Sequence, residues 1–264
     1  MTLPSDQEEL WWKDAVVYQI YPRSFNDSNG DGTGDLPGIE EKVPYLHRLG
    51  VDAVWLSPIY QSPNADWGYD VSDYREIDPV FGTLSDLRSL LDRLHRSGMR
   101  LVMDLVVNHT STEHRWFKAS LNDPSGQYGD FYIWKNGHGT GPPNNWHSFF
   151  GGSAWEYRPE RDGYYLHLFD YRQADLNWEN PAVREEVYRI IDWWFDFGID
   201  GFRMDVINMI SKDQSFANDE RVLHPPATRG TPYFVNGPKL NDYLREMRGP
   251  ALRRPGKVAI GECP

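Results

Sequence analysis

The chain has 264 residues, 39% hydrophobic and 25% charged, with 11 Trp, 15 Tyr and 12 Phe; this is enough apolar material for a sizeable core and excludes a disordered or low-complexity segment. Asp and Glu number 39 against 27 Lys and Arg, a formal charge of −12, which repels nucleic-acid phosphates and anionic membranes and favours a neutral or cationic partner. The single cysteine, Cys263, excludes an internal disulfide framework and suits a reducing compartment.

The opening stretch, Met1 to Trp12, carries Asp6, Glu8 and Glu9 and has neither a basic nor an apolar region, so it does not read as a signal peptide. No apolar run approaches the ~18 residues of a membrane helix, and the expectation is a soluble, cytoplasmic protein. Val16 to Tyr21 reads as a buried strand ended by Pro22. Ile39 to Leu49 has helical spacing at Val43, Leu46 and Leu49 and stops at Gly50. Val51 to Leu56 reads as a second strand. Leu84 to Arg96 reads as a helix with Leu87, Leu90, Leu91 and Leu94 on one face. Leu101 to Val107 is nearly all apolar, as a parallel strand covered on both faces tends to be.

From His109 to Asp175 the chain is rich in Gly, Pro, Asn and aromatics, with short strand-like pieces such as Tyr164 to Leu168. A structureless loop of that length is improbable in a compact domain, so residues 109–175 are expected to form a small inserted subdomain between residues 1–108 and 176–264. The alternation resumes with helices over Pro181–Phe197 and Pro238–Arg248 and strands over Gly201–Met204 and Val258–Gly261. Strands alternating with helices predict a parallel sheet of βα units. Only five such strands are present, whereas a closed parallel barrel needs eight, so the sequence fits either an open sheet or part of a longer chain.

Three consecutive strands end in polar groups: Asp104 with Asn108 and His109, Arg203 with Asp205, and Glu262. Acidic residues at the C-terminal ends of parallel strands lie where such folds place their active sites. Two carboxylates in different environments are what glycoside hydrolysis requires. Asp205 shares a strand face with Arg203, whose guanidinium would favour the ionised form and suit a nucleophile. Glu262 follows an apolar strand, where burial would raise its pKa and suit an acid. Trp193, Trp194 and Phe197 fall at helical spacing and read as core, whereas Tyr69, Phe149 and Phe169 lie in loops.

A separate constellation, Asp27, Asn29, Asp31, Thr33 and Asp35, places oxygen donors at positions 1, 3, 5, 7 and 9 of a loop with Gly32 at position 6. This is the spacing of an EF-hand loop, with Thr33 offering its backbone carbonyl, but position 12 is Gly38 in place of the bidentate Glu. It reads as a structural Ca²⁺ loop that is not an EF-hand, with Mg²⁺ as the alternative ion. No phosphate-cradling glycine loop, zinc spacing or Ser-His-Asp order is present, and no organic cofactor is expected.

Asp104-Leu-Val-Val-Asn-His109, Gly201-Phe-Arg-Met-Asp-Val206, Gln173-Ala-Asp-Leu-Asn-Trp178 and Gly261-Glu262 resemble the ordered motifs of the α-amylase family of glycoside hydrolases (family 13). Val17-Tyr-Gln-Ile-Tyr-Pro22 and Gly68-Tyr-Asp-Val-Ser-Asp-Tyr74 are similar to its oligo-1,6-glucosidase and α-glucosidase branch. The resemblance implies a (β/α)8 TIM barrel, present here through about strand five, with a small inserted subdomain after strand three. It implies a retaining mechanism in which Asp205 forms a covalent glucosyl intermediate and Glu262 is acid, then base. Asp66, Tyr69, His109 and Arg203 would hold the terminal glucose of a small oligosaccharide or disaccharide, with Phe149, Phe169 and Gln173 as further pocket residues. The family's third carboxylate would come from a later strand, so the 264 residues would be the first half of a longer enzyme and inactive alone. Val206, next to the nucleophile, resembles enzymes that act on α-1,6 bonds; Ala174 stands where the motif usually has proline. Transglucosylation, as in a sucrose isomerase or trehalose synthase, is a second reading. A non-catalytic barrel kept as a scaffold is a third, and it predicts loss of carboxylates that are present.

Overall fold

The computed structural model describes residues 10–139, 141–221, 229–249 and 253–264; most of the acidic opening stretch, through residue 9, lies outside them. The described strands, in chain order, are β1 (Val17–Ile20), β2 (Ala53–Leu56), β3 (Tyr60–Gln61), β4 (Asp73–Ile77), β5 (Arg100–Leu105), β6 (His109–Ser111), β7 (Trp134–Lys135), β8 (Trp155–Arg158), β9 (Gly163–Leu166), β10 (Gln173–Asp175), β11 (Gly201–Met204) and β12 (Val258–Gly261). The α-helices are α1 (Leu36–Glu41), α2 (Val43–Leu49), α3 (Leu84–Arg96), α4 (Arg115–Asn122), α5 (Pro181–Phe197), α6 (Thr231–Phe234) and α7 (Leu240–Arg248).

Five strands form one parallel sheet in the order β1-β2-β5-β11-β12, each beside its predecessor in sequence. This is the α/β arrangement expected, with consecutive staves of a parallel barrel. Register places Arg203 of β11 between Asp104 of β5 and Ile260 of β12. The helices pack through their apolar stripes: α3 buries Leu87, Leu90, Leu91 and Leu94, and α5 buries Val183, Val187, Ile190, Ile191, Trp194 and Phe195. Both start where their caps dictate. Thr83 and Asp86 form a reciprocal capping box at α3, and Asn180 caps α5 with Pro181 at its first turn. Gly198 ends α5 at φ 113°, a conformation that favours glycine.

Two expectations are corrected. The helix read over Ile39–Leu49 is two helices, α1 and α2, broken at Lys42, because Pro44 has no N–H to continue the ladder and starts a new first turn. The first strand is not buried: Val16 and Val17 are 56% and 39% exposed, since β1 is one edge of the described sheet, and Ile260 on the opposite edge is 41% exposed.

Between β5 and α5, β6 pairs antiparallel with β10, and β7, β9 and β8 form a three-stranded antiparallel sheet. Helix α4 was not foreseen in the sequence. Its N-cap is His114, whose Nδ1 accepts from Trp116 N–H at 3.1 Å; burial pushes this imidazole down to about 3, so it is neutral and has a lone pair to give. The β6–β10 pairing sets Asp175 opposite His109 and Gln173 opposite Ser111, which carries two distant motifs to the carboxyl end of β5.

Candidate active site

Eight residues from five segments line a pocket of about 250 Å³: Asp66, Tyr69, His109, Phe169, Arg203, Asp205, Val206 and Glu262. Seven of these are sequence-predicted site residues, and Val206 was singled out as their neighbour. A larger cavity, about 940 Å³, opens among Trp11, Val17, Arg254 and Ile260, and no carboxylate lines it. The smaller pocket is the one that carboxylates line.

Arg203 organises it. Its Nη1 donates to Asp104 Oδ1 at 2.6 Å and to Asp205 Oδ1 at 2.7 Å, and its Nη2 meets Glu262 Oε1 at 2.6 Å. Asp205 and Glu262, from neighbouring strand ends, therefore converge on one guanidinium. The guanidinium is held over Trp55, with Cζ 5.1 Å from the ring centroid, and Trp55 Nε1 donates to Asp104 Oδ2 at 3.1 Å. Asp104 and Trp55 belong to this hydrogen-bonded cluster, and the sequence reading did not assign them a place in the site. Asp104 carried a signal, its place at the end of β5, whereas Trp55 inside an apolar strand carried none.

Three carboxylates share that single cation, and the electrostatics follow from burial. Asp205 is pushed up to about 7, first by burial and then by the negative charge of Asp104, which together outweigh Arg203. Burial likewise pushes Asp104 up to about 6 against the pull of Arg203. The sequence argument that Arg203 leaves Asp205 readily ionised is thus reversed, because desolvation is the larger effect. The expectation of a buried Glu262 is also corrected: its side chain is 38% exposed, because β12 is an edge strand.

Val206 joins the two carboxylates through the backbone. It sits at φ 37°, ψ 40°, a left-handed conformation that strains a β-branched residue. The turn there aims its N–H at Glu262 Oε2, 3.1 Å away.

The opposite wall is polar and aromatic. Asp66 follows β3 in a turn closed by Tyr69 N–H donating to Asp66 O at 2.9 Å, with Gly68 at φ 100° close against the Pro58 carbonyl. Burial raises the Asp66 carboxyl against a hydrogen bond from Gln173 Nε2 at 2.9 Å. Burial also pushes His109 down to about 4, so it is neutral at neutral pH. Phe169 packs on His109 with ring centroids 5.2 Å apart. Phe149 stacks behind Phe169 at 5.4 Å, and Gln173 is fully buried behind Asp66 and His109. Those two predicted residues support the pocket and do not line it.

The loop predicted to hold a metal lies outside this pocket. Asp27 accepts from Gly32, Gly30 and Asn29 backbone N–H groups, Asn29 from Asp31, and Asp31 from Thr33. Those N–H groups, Gly32 foremost, lower the Asp27 pKa and favour its ionised form. Asp35 turns instead to the N-terminus of α1, where it accepts from Gly38 N–H at 2.6 Å and from Ser28. Among the described residues no group of three His, Cys, Asp or Glu side chains is arranged to hold a metal ion. Any ion here would rest on the all-oxygen set of Asp27, Asn29, Asp31 and the Thr33 carbonyl, a hard donor set of the kind Ca²⁺ takes.

No helix among the described residues is long and apolar enough to cross a membrane. The alpha-amylase catalytic-domain family matches residues 19–264. An oligo-1,6-glucosidase of Parageobacillus thermoglucosidasius is 54% identical over 257 residues, which are 97% of this chain and 46% of that protein. A trehalose-6-phosphate hydrolase of Bacillus licheniformis superposes with a TM-score of 0.91 at 52% identity, over 95% of this chain and 44% of that one. A trehalulose synthase of Pseudomonas mesoacidophila superposes with a TM-score of 0.88 at 44% identity, over 96% and 45% of the two chains. The chain spans about half the length of the curated relatives it matches.

Proposed function

Because this chain belongs to the α-amylase family, in its catalytic domain, we propose that it supplies the nucleophile and the acid/base of a retaining α-glucosidase. Its substrates would be small oligosaccharides with a terminal α-glucosidic bond, α-1,6 bonds first. The observation that carries the reading is the convergence of Asp205 and Glu262 on Arg203 at the rim of a pocket walled by Asp66, Tyr69 and His109. Glu262 protonates the leaving oxygen while Asp205 attacks the anomeric carbon; water, activated by the Glu262 carboxylate, then releases glucose with retention. Tyr69 and Phe169 face the sugar ring, and Asp66 and His109 bind its hydroxyls. Val206 narrows the space beside Asp205, which supports the α-1,6 preference.

A second reading, transfer of the glucosyl group to another sugar, is favoured by the likeness to trehalulose synthase. It shares the first half-reaction and differs in what attacks the intermediate. Proton NMR of the product anomers formed by the whole enzyme decides between the outcomes. Isomaltose is expected to release α-glucose faster than maltose does, and sucrose to be hydrolysed and not isomerised. Release of β-glucose, or cleavage of neither glucoside, contradicts the proposal. We further propose that the 27–35 loop holds one Ca²⁺, which would pin the first βα connection and take no part in the reaction.

A further inference from the structure

Behind the pocket lies a buried ion pair that the proposed chemistry does not use. Lys212 Nζ meets Asp175 Oδ2 at 2.7 Å, with side chains 1% and 0% exposed, and donates to Asn108 Oδ1 at 2.7 Å. Asn108 Nδ2 donates to Asp175 Oδ2 at 3.1 Å and faces His109 Nδ1 at 3.1 Å. The other oxygen of Asp175 accepts from Leu168 N–H at 3.0 Å.

Every polar atom of the Asn108 amide therefore has a partner of fixed sign. Turned over, the amide would set its oxygen against the Asp175 carboxylate and its NH2 against the Lys212 ammonium, both in buried surroundings. His109 Nδ1 consequently faces a donor and must accept. We propose that Lys212, acting through Asn108 as a positioning residue, holds His109 in the tautomer with its proton on Nε2. This rests on the reading of the pocket as a glucosyl site, where that proton serves a sugar hydroxyl oxygen.

The other side of the ring explains why the lock matters. Gln173 Nε2 lies 3.1 Å from His109 Nε2, with its own amide oriented by Oε1 accepting from Asp170 N–H at 2.9 Å and by Nε2 donating to Asp66. Two amide NH2 groups thus bracket a ring that, being neutral, has one lone pair. The side held by two full charges prevails over the side held by one carboxylate and one backbone N–H. The Nε2 proton is left facing a donor on the Gln173 side. A hydroxyl oxygen entering there accepts from both His109 and Gln173, so the site is poised for an oxygen acceptor.

The test reads the proton directly. In a long-range ¹H–¹⁵N spectrum of the protein labelled at histidine, the His109 signals are identified by their loss in His109→Gln. Nδ1 is expected in the unprotonated range and Nε2 in the protonated range; an Nδ1–H tautomer, or an equal mixture, overturns the proposal. In a Lys212→Met, Asp175→Leu double variant, both charges leave together. A substantial Nδ1–H population should then appear, with KM rising roughly fivefold, about what one neutral hydrogen bond is worth, and kcat little changed. An unchanged tautomer removes Lys212 from the account. Lys212→Arg, which keeps the cation, should keep the Nε2–H form, and its loss there would count against the lock; should the double variant fail to fold, the spectra of the unsubstituted protein and of Lys212→Arg still decide. These spectra do not depend on turnover, so failure of the lock and failure of the glucosidase reading are separate results.

Discussion

Asp205→Asn should make the protein more stable at alkaline pH while abolishing its chemistry. Three carboxylates crowd one guanidinium in a buried site, and holding the Asp205 carboxyl at about 7 in place of an ordinary 3.8 costs its ionised form about 4 kcal/mol. The sign follows from proton counting. Between pH 4 and 7 the folded state keeps a proton that the unfolded state has lost, so stability falls as pH rises through that window, and the whole cost is present above about 7. The amide resembles the protonated acid in shape and carries no charge. Denaturant unfolding at pH 8 should therefore show Asp205→Asn more stable by up to about 4 kcal/mol, less to the extent that Asp104 and Glu262 relax once freed of a competitor for Arg203. At pH 5, where only the unfolded carboxyl has ionised, the difference should shrink to about 1.6 kcal/mol. A variant less stable than the parent at pH 8, or a gain of equal size at both pH values, would refute the reasoning.

Activity should carry the same signature: kcat/KM should fall as pH drops below about 7, because Asp205 attacks only when ionised, and a profile flat from pH 5 to 8 contradicts this. Gly201→Ala should destabilise by roughly 1–3 kcal/mol in thermal unfolding, since a Cβ there would sit 2.4 Å from Val258 Cγ1 and 2.6 Å from the Val258 carbonyl. If the 27–35 loop holds Ca²⁺, a chelator should lower the melting temperature by several degrees, an effect absent in Asp27→Ala; a chelator without effect on the parent rejects the ion.

Much of the fold was legible because local signals agreed with one another. The Leu87, Leu90, Leu91 and Leu94 stripe of α3 and the Asn180–Pro181 start and Gly198 stop of α5 are each set by residues within a few positions. Helix α4 escaped notice because its cap is a histidine, which mimics Ser or Asp only when burial keeps it neutral. The break at Lys42 was obscured by an apolar stripe that continues across Pro44. In the site, motif order brought forward Asp66, Tyr69, His109, Arg203, Asp205 and Glu262, and the structure gathers them. Lys212 stayed hidden: in a Ser-Lys-Asp-Gln run it reads as a solvated loop cation, and its partner Asp175 lies on the far side of α5 and β11 in sequence. The relative burial of Asp205 and Glu262 was also beyond reach, because it depends on β11 being internal and β12 an edge.

Asp205 is the proposed nucleophile, whose carboxylate bonds the anomeric carbon of the glucosyl intermediate. Incubating the protein with a slow, activated 2-deoxy-2-fluoro-α-glucoside and weighing its proteolytic peptides tests this directly. One added fluoroglucosyl mass is expected on the peptide that contains Asp205; an adduct on Glu262, or substrate turnover with no adduct on any carboxylate, would contradict the assignment of Asp205 as nucleophile.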